Sequence, residues 1–328
     1  MQNDPWLRKY WLEGLLILLL LVAMGYFAWI GYGLLPKPPT PEPRVFSGDR
    51  AHAHVLAQTD LGPRPTGSEA AAELRQYIMT ELAAQGWSVI TQTFTYEDTE
   101  VTNVIGRAGE GAIALAGAHY DTRRQADADP DPEKREEPVL GANDGASGVA
   151  VLLELAYALD LDKLQHQVWL VFFDAEDNGR LDGWDWAVGS THMAQEWAEG
   201  KAPGTATVQA GQATPTPVPL PEFLVLVDMI GDADQQIYME RNSSPQLTRE
   251  LWSLAADLGY SDVFIPEYKW SLTDDHTPFL AEGIDAVDII DFDYPFWHTT
   301  EDTPDKVSAE SLERVGRVLE TFLEEQAR

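Results

Sequence analysis

The 328-residue chain contains no cysteine. That absence excludes disulfides, thiol nucleophiles, zinc-thiolate centres and lipid attachment through an N-terminal cysteine, so any bound metal must be held by His, Asp or Glu. Basic residues are also scarce, 22 Lys and Arg against 54 Asp and Glu, giving a formal net charge of -32. No basic footprint remains to hold a phosphate backbone, which argues against nucleic acid as a partner. A ligand with a free α-ammonium group suits such a field. Neither a glycine-rich phosphate loop nor a dinucleotide fingerprint occurs. Ser147, in Gly145-Ala146-Ser147-Gly148, lacks the G-x-S-x-G spacing of a nucleophile elbow, and no His follows in a matching pattern.

Among the features present, the most conspicuous is the uncharged run Gly14 to Leu35, GLLILLLLVAMGYFAWIGYGLL. It is long enough to cross a hydrocarbon core of about 30 Å as a helix. Tyr10, Trp11, Tyr26, Trp29 and Tyr32 suit the interfacial belt, and Arg8 and Lys9 precede the run. The run exceeds the usual signal-peptide core and no small-x-small cleavage site follows it cleanly. The reading is a single-pass anchor over 14–35, with the short segment 1–13 inside and the bulk of the chain extracytoplasmic. Residues 36–44, PKPPTPEPR, form a proline-rich linker, and the folded domain occupies 45–328. Within it, 200–221 is rich in Gly, Ala, Thr and Pro without hydrophobic periodicity, and reads as an inserted surface loop.

Helical and strand patterns alternate along that domain. Ser68 to Gly86 carries Leu74, Ile78 and Leu82 at helical spacing, and Gly86 ends it as helices commonly end. Val149 to Leu159, Leu247 to Leu258 and Ser311 to Leu323 also read as helices. Val101 to Ile105, Ala112 to Ala118, Val168 to Phe173, Phe223 to Val227 and Ala286 to Ile290 read as strands, several of them unbroken apolar runs buried on both faces. The predicted fold is α/β: a doubly wound, mostly parallel mixed sheet with helices on both faces.

Open α/β sheets bind ligands beyond the carboxyl ends of their strands. Here those ends carry acids and histidines: His119-Tyr120-Asp121, Asp174-Ala175-Glu176-Asp177, Asp228, and Asp291 to Asp293 followed by Trp297-His298. Asp144 precedes a helix in Gly141-Ala142-Asn143-Asp144-Gly145. A lone Asp at a strand end is usually a turn cap, but this accumulation in a cysteine-free domain points to a metal, and nitrogen with carboxylate ligands points to zinc. Asp121, two residues after His119, can orient the imidazole or neighbouring backbone. Of the adjacent pair Glu176 and Asp177, one carboxylate can bind metal while the other moves protons.

These residues resemble the zinc exopeptidase family that includes bacterial leucyl aminopeptidases, family 28 of the metallopeptidases, from about Val45 to the C-terminus. Within it, HYDTRRQADADPDPEKREEPVLGANDGASGVAVLLELA, FFDAEDNG, DDHTPF and DIIDFDYPFWHTTEDT are most similar to the animal-type glutaminyl cyclases (glutaminyl-peptide cyclotransferases) of bacteria. The resemblance implies Asp144, Asp177 and His298 as zinc ligands and Glu176 as the proton-transferring carboxylate. His119 and Asp228 match the positions completing a second metal site in the aminopeptidases; in the cyclases the equivalent Asp instead hydrogen-bonds the catalytic Glu. Asp274 resembles the acid that extends the cyclase proton network. Trp297 matches the aromatic before the last ligand, and Trp184 or Trp186 a pocket-lining Trp. An Asp after the base, rather than a Glu, fits the bacterial cyclase pattern. Two activities on peptide or protein N-termini follow: cyclisation of Gln to pyroglutamate with one zinc, or hydrolysis of the first peptide bond with one zinc or two.

Overall fold

The structure, a computed structural model, describes residues 5–34, 44–164, 166–201, 203 and 219–325. Leu35, linker residues 36–43, most of the 200–221 insert and residues 326–328 lie outside the described residues. Helix α1 (Pro5–Leu34) belongs to a unit of its own, Met1–Pro43, separate from Arg44–Arg328. Its stretch Lys9–Ile30 is long and apolar enough to cross a membrane.

In the second unit the strands are β1 (Ser88–Tyr96), β2 (Thr99–Ala108), β3 (Ile113–His119), β4 (Gln167–Phe173), β5 (Phe223–Asp228), β6 (Ile237–Met239), β7 (Phe264–Tyr268) and β8 (Asp285–Ile290). Six of them form one sheet in the order β1-β2-β4-β3-β5-β8, while β6 and β7 pair separately. Neighbours among β4, β3, β5 and β8 run parallel; β2 is antiparallel to β4, and β1 to β2. The carboxyl ends of the four parallel strands therefore open along one edge of the sheet.

The helices are α2 (Gly48–Thr59), α3 (Glu69–Ala84), α4 (Ala146–Ala158), α5 (Val188–Ala198), α6 (Pro245–Asp257), α7 (His276–Ala281) and α8 (Ala309–Glu325). Strand side chains alternate between the two faces. Val168, Leu170 and Phe172 of β4 join a core with α2, α3, α4, α6 and α8, whereas Trp169, Val171 and Phe173 join one with α5 and α7. Covering both faces is why these strands read as continuous apolar runs. At the start of α3, the Ser68 hydroxyl accepts the Ala71 N–H at 3.0 Å, and Gly86 beyond its end has φ 87°.

Some elements leave no apolar signature. β1 is an edge strand with few buried side chains, so its polar sequence matches its position. Helix α7 spans only six residues, too short for a periodic pattern.

Candidate metal centre and active site

Each predicted site residue leaves an element at the same edge of the sheet. His119 ends β3, Glu176 and Asp177 follow β4, Asp228 ends β5 and His298 follows β8. Asp144 and Asp274 precede α4 and α7. All seven are buried. Burying so many carboxyls is costly unless each is paired, protonated or bound to a cation.

Asp144, Asp177 and His298 offer ligand atoms that all lie within 4.8 Å of one another, and His119, Asp144 and Asp228 form a second such set. In the first, His298 Nε2 lies 2.9 Å from Asp177 Oδ1 and 3.7 Å from Asp144 Oδ2. Ligands at about 2.0–2.2 Å around a tetrahedral zinc are spaced about 3.3–3.6 Å apart, so the set fits that ion. Asp144 Oδ2 and Asp177 Oδ2 are buried without a hydrogen-bond partner among the described residues, which is how oxygens committed to a cation would be left. In the second set, His119 Nε2 lies 3.1 Å from Asp228 Oδ1 and 3.2 Å from Asp144 Oδ1.

Two further aspartates hold the ligand loops by their backbones. Asp121 accepts the N–H groups of Glu176 at 3.0 Å and Asp177 at 3.2 Å. Its distance of 3.7 Å from His119 Nδ1 exceeds a hydrogen bond, so it orients the neighbouring backbone rather than the imidazole. Asp302 does the same for the other loop, accepting Asn143 N–H at 2.9 Å and Asp144 N–H at 3.1 Å. The Asp144 turn then passes through Gly145 at φ 94°, where a Cβ would lie 2.7 Å from the Asp121 carbonyl oxygen. Arg123 donates to the Asp177 carbonyl at 2.9 Å and to Asp127 at 2.7 and 2.8 Å. Asp127 Oδ1 in turn lies 3.4 Å from His298 Nδ1, leaving Nε2 for the metal. Trp297 stacks on the His298 ring at 3.7 Å between centroids.

These residues open into a cavity of about 290 Å³. Asp144, Glu176, Asp177, Asp228, Asp274 and His298 line it, with Leu272, Ile290, Phe292, Trp186 and Trp297 supplying apolar surface. Trp184 is not among the lining residues: it packs edge-on against Tyr96, 5.3 Å between centroids. Burial, then the charge of Asp274, pushes Glu176 well above the ordinary carboxyl range. Burial raises Asp228 to about 7, against the pull of His119.

Behind Asp274 lies a group that the sequence patterns do not single out. Asp288, in the middle of β8, places Oδ2 3.8 Å from His276 Nδ1, and His276 Nε2 is 3.4 Å from Glu240 Oε2. Burial and the charges of Asp274 and Asp228 push Asp288 well above the ordinary range. Asp302, Asp127 and Arg123 do not follow strand ends directly, although all three lie inside the motifs: Arg123 and Asp127 in HYDTRRQADADP, Asp302 in DIIDFDYPFWHTTEDT.

Peptidase family M28 matches residues 103–323. The glutaminyl-peptide cyclotransferase-like protein of Mus musculus is 28% identical over 294 residues, covering 80% of this chain and 72% of that protein. The crystal structure of Porphyromonas gingivalis glutaminyl cyclase superimposes with a TM-score of 0.75 at 31% identity, covering 86% of this chain and 99% of the other. A leucine aminopeptidase precursor from Bacteroides thetaiotaomicron gives a TM-score of 0.74 at 30% identity, covering 85% and 97%. Solved structures of a glutaminyl cyclase and of a leucine aminopeptidase precursor thus share this architecture. The chain belongs to peptidase family M28, and it is an enzyme of the cyclase or metallo-exopeptidase type.

Proposed function

We propose that the protein is a glutaminyl-peptide cyclotransferase, converting the N-terminal Gln of peptides or proteins to pyroglutamate with release of ammonia, and that Asp144, Asp177 and His298 hold one zinc ion. Bound there, zinc supplies a Lewis acid for the substrate's side-chain amide carbonyl. The observation that carries the single-ion reading is where the unpaired oxygens lie. Asp144 Oδ2, buried without a partner, lies 3.7 Å from His298 Nε2, and Asp177 of the same set also has an unpaired oxygen, Oδ2, whereas in the second set Asp228 Oδ1 and Asp144 Oδ1 both lie within hydrogen-bond distance of His119 Nε2.

Glu176 lies outside the ligand set and lines the same cavity, so it is free to move protons. It takes a proton from the substrate's α-amine as that nitrogen bonds to the amide carbon. It then gives the proton to the departing amide nitrogen, which leaves as ammonia. Asp274 favours the protonated form of Glu176 by its charge, and Asp228, which lines the same cavity, completes the proton network. The aromatic and aliphatic walls from Trp186, Trp297, Phe292 and Ile290 limit water around the reacting groups.

A second reading has its own observation. His119, Asp144 and Asp228 also cluster within metal-ligand range, and a second ion there would fit an aminopeptidase in which Glu176 takes the proton of a water attacking the first peptide bond. Zinc content tests this second reading. Two ions falling to one in His119→Ala support the peptidase; one ion retained in that variant removes the observation that favours it, and the product formed from an N-terminal Gln peptide then decides.

The catalytic unit comprises residues 45–328, with 200–221 as a surface insert. Helix α1 anchors it to a membrane in a single pass, with the catalytic unit on the extracytoplasmic side. Protection from protease added to intact cells would overturn that orientation.

A further inference from the structure

A second cavity, of about 210 Å³, adjoins the metal pocket and shares Trp186 and Thr273 with it. Its chemistry is different. Ala187, Thr191 and Ala194 contribute from the α5 side, and Pro278 and Ala281 from the α7 side. Its one charged lining residue, Glu282, is exposed at the end of α7, whereas acids crowd the metal pocket.

Trp186 is a well-fixed partition between the two. A Cβ on Gly179 would lie 2.0 Å from Trp186 Cδ2, so the backbone packs directly against the indole. The Arg123 guanidinium lies 4.9 Å from the ring centroid, and the ring is within 14° of parallel to that of His298. A partition held by backbone, cation and metal-ligand ring keeps the second cavity a separate compartment with a fixed relation to the first.

In an extended peptide, successive side chains point to opposite sides about 3.3 Å apart. When the first residue fills the metal pocket, the second residue sits at the pocket mouth, about 3.3 Å further along the chain, within reach of the cavity that shares Trp186 and Thr273 with it. We propose that the cavity between α5 and α7 is the subsite for the second residue of the peptide, and that it takes an aliphatic side chain such as Leu. This rests on the N-terminal residue occupying the metal pocket, which the cyclase and peptidase readings share. Burying much of a leucine side chain strengthens binding about tenfold. An acid there would lose solvation beside Glu282.

The test uses the full zinc-loaded chain carrying Glu176→Gln, which stops turnover without altering this cavity. Calorimetric titration with Gln-Gly-Gly, Gln-Leu-Gly and Gln-Asp-Gly should show the leucine peptide binding about tenfold tighter than the glycine peptide, and the aspartate peptide weakest. Adding Ala281→Phe, at an exposed rim position, should fill the cavity and bring the leucine peptide within about twofold of the glycine peptide. Gln195→Phe does the same from the facing helix if Ala281→Phe does not fold. Equal affinity for the glycine and leucine peptides overturns the subsite, as does a leucine advantage that survives both fillings, or no binding of either peptide. Product analysis on the parent chain is independent: free Gln from Gln-Leu-Gly instead of ammonia overturns the cyclase reading and leaves the binding comparison intact.

Discussion

Asp121 grips Glu176 by its backbone: Oδ1 accepts the Glu176 N–H at 3.0 Å, while the other oxygen accepts the N–H of Asp177 at 3.2 Å. One buried carboxylate thereby fixes the proposed proton carrier and a proposed metal ligand on the same turn. Asp302 repeats the device on Asn143 and Asp144. Two aspartates outside the proposed ligand set thus fix the backbone of both loops that carry it.

Asp121→Asn leaves one of the two acceptors. We expect zinc affinity and kcat each to fall about 10- to 100-fold, with a lower melting temperature. Competition against a chromogenic chelator and steady-state kinetics check this. Unchanged values in both would show the clamp to be dispensable.

Glu176 and the ligands should separate cleanly by readout. Asp177→Ala and His298→Ala are expected to lose zinc, whereas Glu176→Gln keeps it and loses about 10²- to 10⁴-fold in rate. Metal analysis beside kinetics checks both. Zinc loss in Glu176→Gln would place that residue among the ligands.

The strand ends are legible in sequence because strands buried on both faces leave unbroken apolar runs, such as Val168 to Phe173, after which acids stand out. The supporting residues are not. Asp302 is 158 residues from Asp144 and reads locally as a turn residue. Asp288 interrupts the apolar run Ala286 to Ile290, and nothing in the local pattern announces that its carboxyl is fully buried beside His276. Nor can spacing choose between Trp184 and Trp186. The intervening loop takes Arg180, Asp182 and Ala187 into left-handed backbone conformations, which non-glycine residues rarely adopt and sequence does not announce. Those turns accompany a loop that brings Trp186 to the pocket and leaves Trp184 against Tyr96.

Gly179→Ala should disturb that loop. Its methyl would fall 2.0 Å from Trp186 Cδ2, so the indole must move from the wall both cavities share. We expect KM for Gln peptides to rise about tenfold or more, with zinc content intact. An unchanged KM would contradict the role given to Trp186.

Acid should weaken the fold through His54, far along the sequence from the metal. Burial, then the Arg50 charge, lowers its pKa from 6.5 to about 4, and Nδ1 lies 2.6 Å from the Tyr77 hydroxyl. The unfolded chain takes up this proton first, so stability is full above pH 6.5 and declines as pH falls toward 4. The contribution lost is about 2–3 kcal/mol. Urea midpoints at neutral pH and near the folded pKa, compared between the parent and His54→Leu, check this: the variant should show the shallower decline.

The most direct measurement of the central claim is the product formed from an N-terminal Gln peptide. Incubated with the zinc-loaded chain, such a peptide should release ammonia and keep all its residues, while a peptide beginning with Leu stays intact. Free leucine from the second peptide, with no ammonia from the first, would contradict the account.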